Sequence, residues 1–154
     1  MAVWCPNLGW ENFKIQKPLA KVFDCPIIIQ NDAKLAALSE AKALPETPPL
    51  CIYLTISTGI GIGVVRDGRL DPDFLHSEAG HMTLEFDGSI REWEDFASGR
   101  SIKSTYGKYA RNIHNKHIWQ QIADKISRGI LALIPIMNPD TIIIGGSIGT
   151  YFKQ

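Results

Sequence analysis

Residues 51–70 read CIYLTISTGIGIGVVRDGRL, and this stretch decides the fold. Cys51 to Ile56 is apolar and β-branched, which favours a buried strand. The run from Ser57 to Gly63 (STGIGIG) turns the chain, and Val64-Val65 continues as a strand. Asp67-Gly68 is a strong hairpin signal. The stretch therefore predicts two antiparallel strands joined by a tight glycine turn, followed by a second turn.

Hydrophobic periodicity and turn residues predict the elements on either side of this hairpin. They are an irregular stretch over Met1 to Pro18, a buried strand at Ile27 to Ile29, a helix over Ala33 to Leu44, an irregular stretch over 71–93, a helix from Glu92 to Ala110 broken near Gly99, an amphipathic helix over Ile118 to Met137, and a buried strand over Thr141 to Ile144. Strands and helices alternate, which predicts an α/β layer architecture.

Length and composition describe an ordinary globular chain. The 154 residues are 45% hydrophobic and 21% charged, with a formal net charge of zero. We expect a single domain over residues 1–154, a piece of a longer chain. Balanced charge argues against a nucleic-acid-coating protein or a polybasic membrane binder. Three widely spaced cysteines predict neither a disulfide framework nor a metal motif, and they favour a cytoplasmic protein.

Two segments could carry chemistry on their residue types alone. Asn31-Asp32 follows the predicted strand at Ile27 to Ile29, and ligands collect at the carboxyl ends of such strands. A carboxylate there can accept a proton from a hydroxyl, but Asp32 could equally only cap the next helix. Thr58, Gly59 and Gly61 belong to a glycine-rich run whose backbone N–H groups could cradle phosphate, or which could be only a tight hairpin.

Three further segments are weaker when taken alone. Glu78 and His81 are separated by two small residues and could both point into one pocket. Glu94 stands at a predicted helix start, where a carboxylate also simply favours the helix dipole. Gly145-Gly146 follows a buried strand and could lie against a nucleotide or form only a turn. We assign no metal ligands, because no cysteine or second histidine follows His81 up to Trp93.

Taken in order, these segments resemble the ROK family of sugar kinases and sugar-responsive regulators. The resemblance spans nearly the whole chain. The matching stretches are Pro6 to Trp10 (PNLGW), Asn31 to Ala33 (NDA), Leu54 to Gly63 (LTISTGIGIG), Glu78 to Met82 (EAGHM), Glu94 to Gly99 (EDFASG) and Asn138 to Gly146 (NPDTIIIGG).

The resemblance implies a role for each matching position. It makes Asp32 the catalytic base that takes the proton of the attacking sugar hydroxyl. It assigns sugar binding to Asn31, Glu78, His81 and Glu94. It assigns nucleotide binding to Thr58, Gly59, Gly61, Gly145 and Gly146. The implied fold is the actin-like (ribonuclease H-like) ATPase fold, of which this chain is most of the larger lobe.

The chain departs from the family pattern in three places. The family's cysteine-rich zinc loop is replaced by Phe86 to Trp93 (FDGSIREW), so we expect no zinc. The family's N-terminal phosphate loop is absent, and so are its C-terminal helices. We therefore expect the isolated chain to be inactive, because phosphoryl transfer depends on positioning and charge stabilisation around the whole phosphate.

The expected activity is ATP- and Mg²⁺-dependent phosphorylation of a glucose-type hexose by a protein that forms homo-oligomers. Its expected partners are the hexose and the nucleotide, with no nucleic acid and no membrane. One alternative is the sugar-sensing domain of a ROK-type transcriptional regulator. Another is a sugar-binding module that has lost catalysis.

Overall fold

The computed structural model describes residues 2–5 and 10–151, with side chains described over residues 14–151. Internal contacts divide the chain into two units, Met1–Asn31 and Asp32–Gln154. Each unit is described by itself. The expectation of a single domain over residues 1–154 stays a prediction.

The first unit contains a short hairpin that the sequence did not suggest. Strand β1 (Ala2–Cys5) pairs antiparallel with strand β2 (Trp10–Phe13), and helix α1 (Gln16–Ala20) follows. The expected irregular conformation over Met1 to Pro18 is wrong here, because backbone pairing, which the side-chain pattern does not encode, holds the two strands. Residues 6–9, part of the quoted PNLGW motif, lie outside the described residues.

The expected buried strand at Ile27 to Ile29 is also wrong. Residues 26–31 take no regular conformation, and Ile28 and Ile29 are exposed. β-Branching favours an extended chain, but a strand also needs a neighbour to complete its hydrogen bonds, and no described strand pairs with this segment. Asn31-Asp32 therefore does not follow a strand.

Helix α2 (Asp32–Ala43) confirms the expected helix to within one residue at each end. It ends shortly before Pro45, as expected where proline cannot continue a helix. Its buried face includes small residues at a spacing of four, namely Ala33, Ala37 and Ala41. This narrow face lets the helix approach the sheet closely.

The central sheet confirms the expected hairpin. Its strands lie in the order β5 (Arg69–Leu70), β4 (Ile60–Arg66), β3 (Leu50–Ile56) and β8 (Thr141–Gly145). The first three pair antiparallel. Asp67 and Gly68 both have positive φ, 49° and 74°, the conformation that a two-residue hairpin turn requires.

Alternate residues of β3 enter two different cores, which explains why that strand is apolar throughout. Ile52 and Leu54 face the larger core, whereas Cys51 and Tyr53 face helix α2. A strand covered on both faces loses the polar alternation of a half-exposed strand.

Residues 71–93, expected to be irregular, contain a second hairpin. Strands β6 (Thr83–Phe86) and β7 (Ser89–Glu92) are antiparallel, and Asp87-Gly88 at their turn has positive φ at both residues, 52° and 73°. The expectation is wrong because Asp87-Gly88 adopts the backbone angles of a two-residue turn, as Asp67-Gly68 does in the first hairpin. Short 3-10 turns at Pro72–Phe74 and Ala79–His81 complete the segment.

The remaining helices cover the larger core. They are α3 (Trp93–Ala97), α4 (Gly99–Tyr106), α5 (Lys116–Met137) and α6 (Gly146–Gly149), with strand β8 (Thr141–Gly145) parallel to β3. The expected break near Gly99 and the expected long helix are both confirmed. No described helix is long and apolar enough to cross a membrane.

Candidate active site

Glu94 joins two segments that are far apart in sequence. It stands in the first turn of α3, and its side chain is 16% exposed. Its Oε2 accepts a hydrogen bond from the backbone N–H of Ile60 at 3.2 Å, and its Oε1 accepts one from Arg100 at 2.9 Å. The carboxylate is therefore held from both sides, by the start of β4 and by helix α4.

Two glycines make room for this carboxylate. A Cβ added to Gly59 would lie 2.7 Å from Glu94 Oε2, and one added to Gly80 would lie 2.8 Å from it. Such separations are shorter than van der Waals contact, so side chains at these positions would displace the carboxylate. The structure thus brings Gly59 of the predicted phosphate turn against Glu94 of the predicted sugar site.

His81 is held by a residue that the sequence did not single out. Its Nδ1 lies 2.8 Å from Glu92 Oε2, and an ionised carboxylate can only accept, so the imidazole donates. This hydrogen bond raises the pKa of His81. Burial opposes this shift in the pKa, and the charges of Glu92, Glu94 and Glu78 add to it. Applying the Asp87-Gly88 turn signal would have placed Glu92 beside Thr83, two residues beyond His81.

His81, Glu92 and Glu94 also have ligand atoms that all lie within 4.8 Å of one another. Imidazole and carboxylate are zinc ligands, so the described residues contain a group with the composition of a three-ligand site. In the structure these side chains instead bond to one another, to Arg100 and to Ile60. The assignment of no metal ligand stays a prediction, and zinc titration is its test.

Asp32 is the first residue of α2 and is exposed. Its Oδ1 accepts a hydrogen bond from the backbone N–H of Ala33 at 2.8 Å. This contact at the start of the helix agrees with the alternative in which Asp32 only caps helix α2. Asp32 also acts electrostatically, together with Glu78, on the buried Lys34. Asn31 ends the first unit, and its own N–H donates to Gln30 Oε1 at 2.8 Å.

A cavity of about 660 Å³ opens beside the turn that contains Thr58. The start of α4 is bonded to this turn, since Gly99 N–H donates to Ser57 O at 2.6 Å and Arg100 N–H donates to Thr58 O at 3.3 Å. The lining residues come from four segments and are Ser57, Thr58, Gly99, Arg100, Lys103, Tyr109, Ala110, Arg111, Ser147, Ile148 and Tyr151.

Three cations line this cavity, and none of its lining residues is acidic. Lys103 Nζ donates to the Tyr109 hydroxyl oxygen at 2.8 Å, which lowers the pKa of Tyr109. Arg111 stands over the same ring, 5.3 Å from its centre. Arg100 completes the set. Sequence reasoning missed all three, although Arg100 and Lys103 at a spacing of three indicate one helix face. The cavity is suited to an anionic ligand.

Gly145 and Gly146 lie beside the Thr58 turn across the sheet. Gly145 pairs with Thr55 in the parallel register of β3 and β8. Gly146 has a φ of +79°, and a Cβ added to it would lie 2.5 Å from Ile56 O. The next residues, Ser147 and Ile148, line the cavity. The two glycine turns of the predicted nucleotide site therefore meet at one place.

Gly61 has a different environment. It lies inside β4, where an added Cβ would meet Thr55 Cγ2 at 2.9 Å and Ala33 Cβ at 3.1 Å. Its missing side chain thus serves the close packing of α2 on the sheet. A role for Gly61 in nucleotide binding stays a prediction.

The described sheet has core clusters on both faces, and its glycine-turn cavity lies beside the carboxylate of Glu94. The model of the ROK family matches residues 1–152. The chain therefore belongs to the ROK family, as the sequence motifs predicted, and its fold is the actin-like ATPase fold of that family's sugar kinases.

The chain is similar to enzymes and to regulators of that family. It is 28% identical over 155 residues to the fructokinase of Pediococcus pentosaceus, covering 93% of this chain and 54% of the relative. It is 28% identical over 178 residues to the xylose repressor of Caldicellulosiruptor bescii, covering 91% of this chain and 44% of the relative.

The crystal structure of a ROK hexokinase from Thermus thermophilus superimposes with a TM-score of 0.75 at 26% identity, over 92% of this chain and 55% of that one. This chain spans about half the length of the curated relatives it matches.

Proposed function

We propose that this chain supplies the sugar site, the catalytic base and part of the nucleotide site of an ATP-dependent hexose kinase, with a glucose-type sugar as acceptor. Asp32 is the base. Glu78, His81 and Glu94 bind sugar hydroxyls together with Asn31. The Thr58-Gly59 turn and the Gly145-Gly146 turn border the phosphoryl donor.

The bond from Glu94 to the backbone of Ile60 is the observation that carries this proposal. Glu94, a candidate sugar ligand, accepts that bond directly after the Thr58-Gly59 turn, and its other oxygen holds Arg100 at the wall of the cavity. Direct phosphoryl transfer needs an acceptor site that adjoins the donor site, and a carboxylate in contact with both segments supports that arrangement. The cationic cavity beside this carboxylate also supports a neighbouring site for phosphates.

In the proposed reaction the primary hydroxyl of the sugar loses its proton to the Asp32 carboxylate. The hydroxyl oxygen then forms a bond to the γ-phosphorus, while the bond from that phosphorus to the β,γ-bridging oxygen breaks. ADP leaves with the electron pair. Arg100, Lys103 and Arg111 offer positive charge to the phosphates, which is the main help a protein gives to this chemistry.

Magnesium would neutralise charge on the phosphate oxygens when bound with the nucleotide. The described lining of the cavity offers hydroxyls from Ser57, Thr58 and Ser147 but no carboxylate. This fits a metal that keeps phosphate oxygens and water as most of its ligands, as Mg²⁺ does in nucleotide sites. The chain's own contribution to charge stabilisation therefore comes from its cations and turn amides.

The decisive test is a coupled phosphotransfer assay on the complete open reading frame that contains this chain. It offers ATP with glucose, fructose, N-acetylglucosamine or N-acetylmannosamine. We expect turnover with a glucose-type sugar, and we expect Asp32→Asn to lower kcat by about 10²–10⁴-fold while sugar affinity survives. Near-normal turnover in Asp32→Asn would remove Asp32 as the base.

A second candidate is the sugar-sensing domain of a transcriptional regulator. The similarity to the xylose repressor favours it, because that relative matches over nearly the whole of this chain. Saturable sugar binding by calorimetry without turnover of any tested sugar would favour this second function.

A further inference from the structure

Lys34 is a buried cation that the proposed reaction does not use. It lies in the first turn of α2, two residues after Asp32, and is 1% exposed. Lysine is almost never fully buried unless its ammonium is paired, because removing the charge from water is costly. The fold must therefore compensate this charge with specific partners.

Two backbone carbonyls hold the ammonium. Lys34 Nζ donates to Ile62 O and to Ser77 O, each at 2.7 Å. Ile62 belongs to the central strand β4, and Ser77 directly precedes Glu78. One side chain thus links three segments: the helix that begins with Asp32, the sheet, and the turn that carries Glu78 and His81.

Two carboxylates act on the same ammonium. Burial lowers the pKa of Lys34, whereas the charges of Glu78 and then Asp32 oppose this and favour the protonated form. These are the proposed sugar ligand and the proposed base. The same ammonium therefore attracts both carboxylates, which belong to different segments of the chain.

The packing of α2 leaves this link little freedom. A Cβ added to Gly63 on β4 would lie 2.9 Å from Ala33 O and 3.4 Å from Lys34 Cα. The helix backbone therefore rests directly on the strand at the position of Lys34. Through its hydrogen bond to Ser77 O, the Lys34 ammonium connects the Ser77–Glu78 segment to this closely packed helix.

We propose that Lys34 is a positioning residue of the sugar site, whose ammonium sets the Glu78 turn against the helix that carries Asp32. The inference rests on the proposed sugar site. In this role Lys34 contacts neither substrate. It holds Asp32 and Glu78 in positions from which both can contact the same sugar.

The test compares Lys34→Met, Lys34→Arg and the control Lys42→Met in the complete open reading frame. Lys42 is an exposed lysine on the same helix. The measurements are the sugar KM, the nucleotide KM, kcat, and sugar affinity by calorimetry, with urea unfolding to report the folded fraction.

We expect Lys34→Met to lower kcat/KM for the sugar at least tenfold and to weaken sugar affinity, with the nucleotide KM changed less than twofold. Lys34→Arg keeps the charge and the donors and should recover most of the loss. Lys42→Met should behave as wild type. A purely structural lysine would reduce the folded fraction and leave the sugar KM of the remaining enzyme unchanged, and that result would overturn the proposal.

Two further outcomes separate this inference from the proposed function. If wild type binds sugar without turnover, the kinase proposal fails, and weaker sugar binding in Lys34→Met still supports the role of Lys34. If Lys34→Met does not fold, Lys34→Gln, which keeps a hydrogen-bond donor but removes the charge, decides: a raised sugar KM and a weakened sugar affinity in its folded fraction support positioning, whereas wild-type values at reduced stability overturn it.

Discussion

Glu94 bonds to the backbone beside the Thr58-Gly59 turn and to Arg100 at the cavity wall, and we propose that it binds sugar hydroxyls there. We expect Glu94→Ala to weaken sugar binding by about 1–3 kcal/mol, because a partly buried hydrogen-bonding carboxylate is lost and Arg100 and the Ile60 N–H lose their acceptor. Isothermal calorimetry with glucose measures this. Asp95→Asn, an exposed carboxylate on the same helix turn, is the matched control. Unchanged affinity in Glu94→Ala would take Glu94 out of the site.

The His81–Glu92 pair predicts a pH dependence. The hydrogen bond to Glu92 raises the pKa of His81 above its ordinary value of 6.5. The folded state therefore binds the His81 proton more tightly than the unfolded state does. The pair contributes fully to the free energy of unfolding below the ordinary pKa, and this contribution is lost as pH rises through the raised pKa.

We expect Glu92→Gln to bring the pKa of His81 back toward its ordinary value. The pH titration of the His81 ring proton by NMR measures this directly, with His76, His114 and His117 as internal references. The stability difference between wild type and Glu92→Gln should shrink as pH rises past the raised pKa. A His81 titration curve identical in both proteins would show that Glu92 does not hold the imidazole in solution.

Among the elements, helix α2 packs closely on β4, and this packing fixes the position of Asp32, the proposed base, at the start of the helix. Gly63 has no side chain where the helix backbone crosses the strand, and an added Cβ would press on Ala37 Cβ and on Ala33 O. We expect Gly63→Ala to destabilise the fold by about 1–3 kcal/mol through overpacking. Urea unfolding measures the change.

The control for Gly63→Ala is Ser39→Ala on the exposed side of the same helix, which should stay within about 0.5 kcal/mol of wild type. Because the helix must move outward to admit the methyl group, Gly63→Ala should also lower kcat more than it changes the nucleotide KM. An unfolding free energy equal to that of wild type in Gly63→Ala would contradict this prediction, because it would show that helix α2 admits the methyl group without loss of stability.

For the molecule as a whole, we propose that this chain provides only one side of a reaction site. Its curated relatives are about twice its matched length. We expect residues 1–154 alone to show no phosphotransfer above background, since the phosphate must be held from several sides for in-line transfer. The coupled assay on the isolated chain and on the complete open reading frame measures this. Comparable turnover in both would show that the chain is sufficient.

The sequence was enough to predict those helices and strands whose turn residues or apolar periodicity lie within the element itself. The first hairpin was predictable because Asp67-Gly68 fixes a turn through its own backbone angles, and α5 was predictable from its apolar periodicity. The family followed from the order of the motifs along the chain. Even the second hairpin had its local signal in Asp87-Gly88, which went unused.

Other features depended on tertiary structure, because strand pairing and burial there involve residues far apart in the sequence. Ile27 to Ile29 has the composition of a strand, but it is not one because the described chain gives it no strand to pair with. Lys34 looks like any helical lysine until Ile62 and Ser77 meet its ammonium. Glu92 and Glu94 gain their roles only when a hairpin and a helix carry them to His81 and Ile60. Local backbone preferences act within a few residues, whereas the partners of a buried charge are set by the packing of the whole fold.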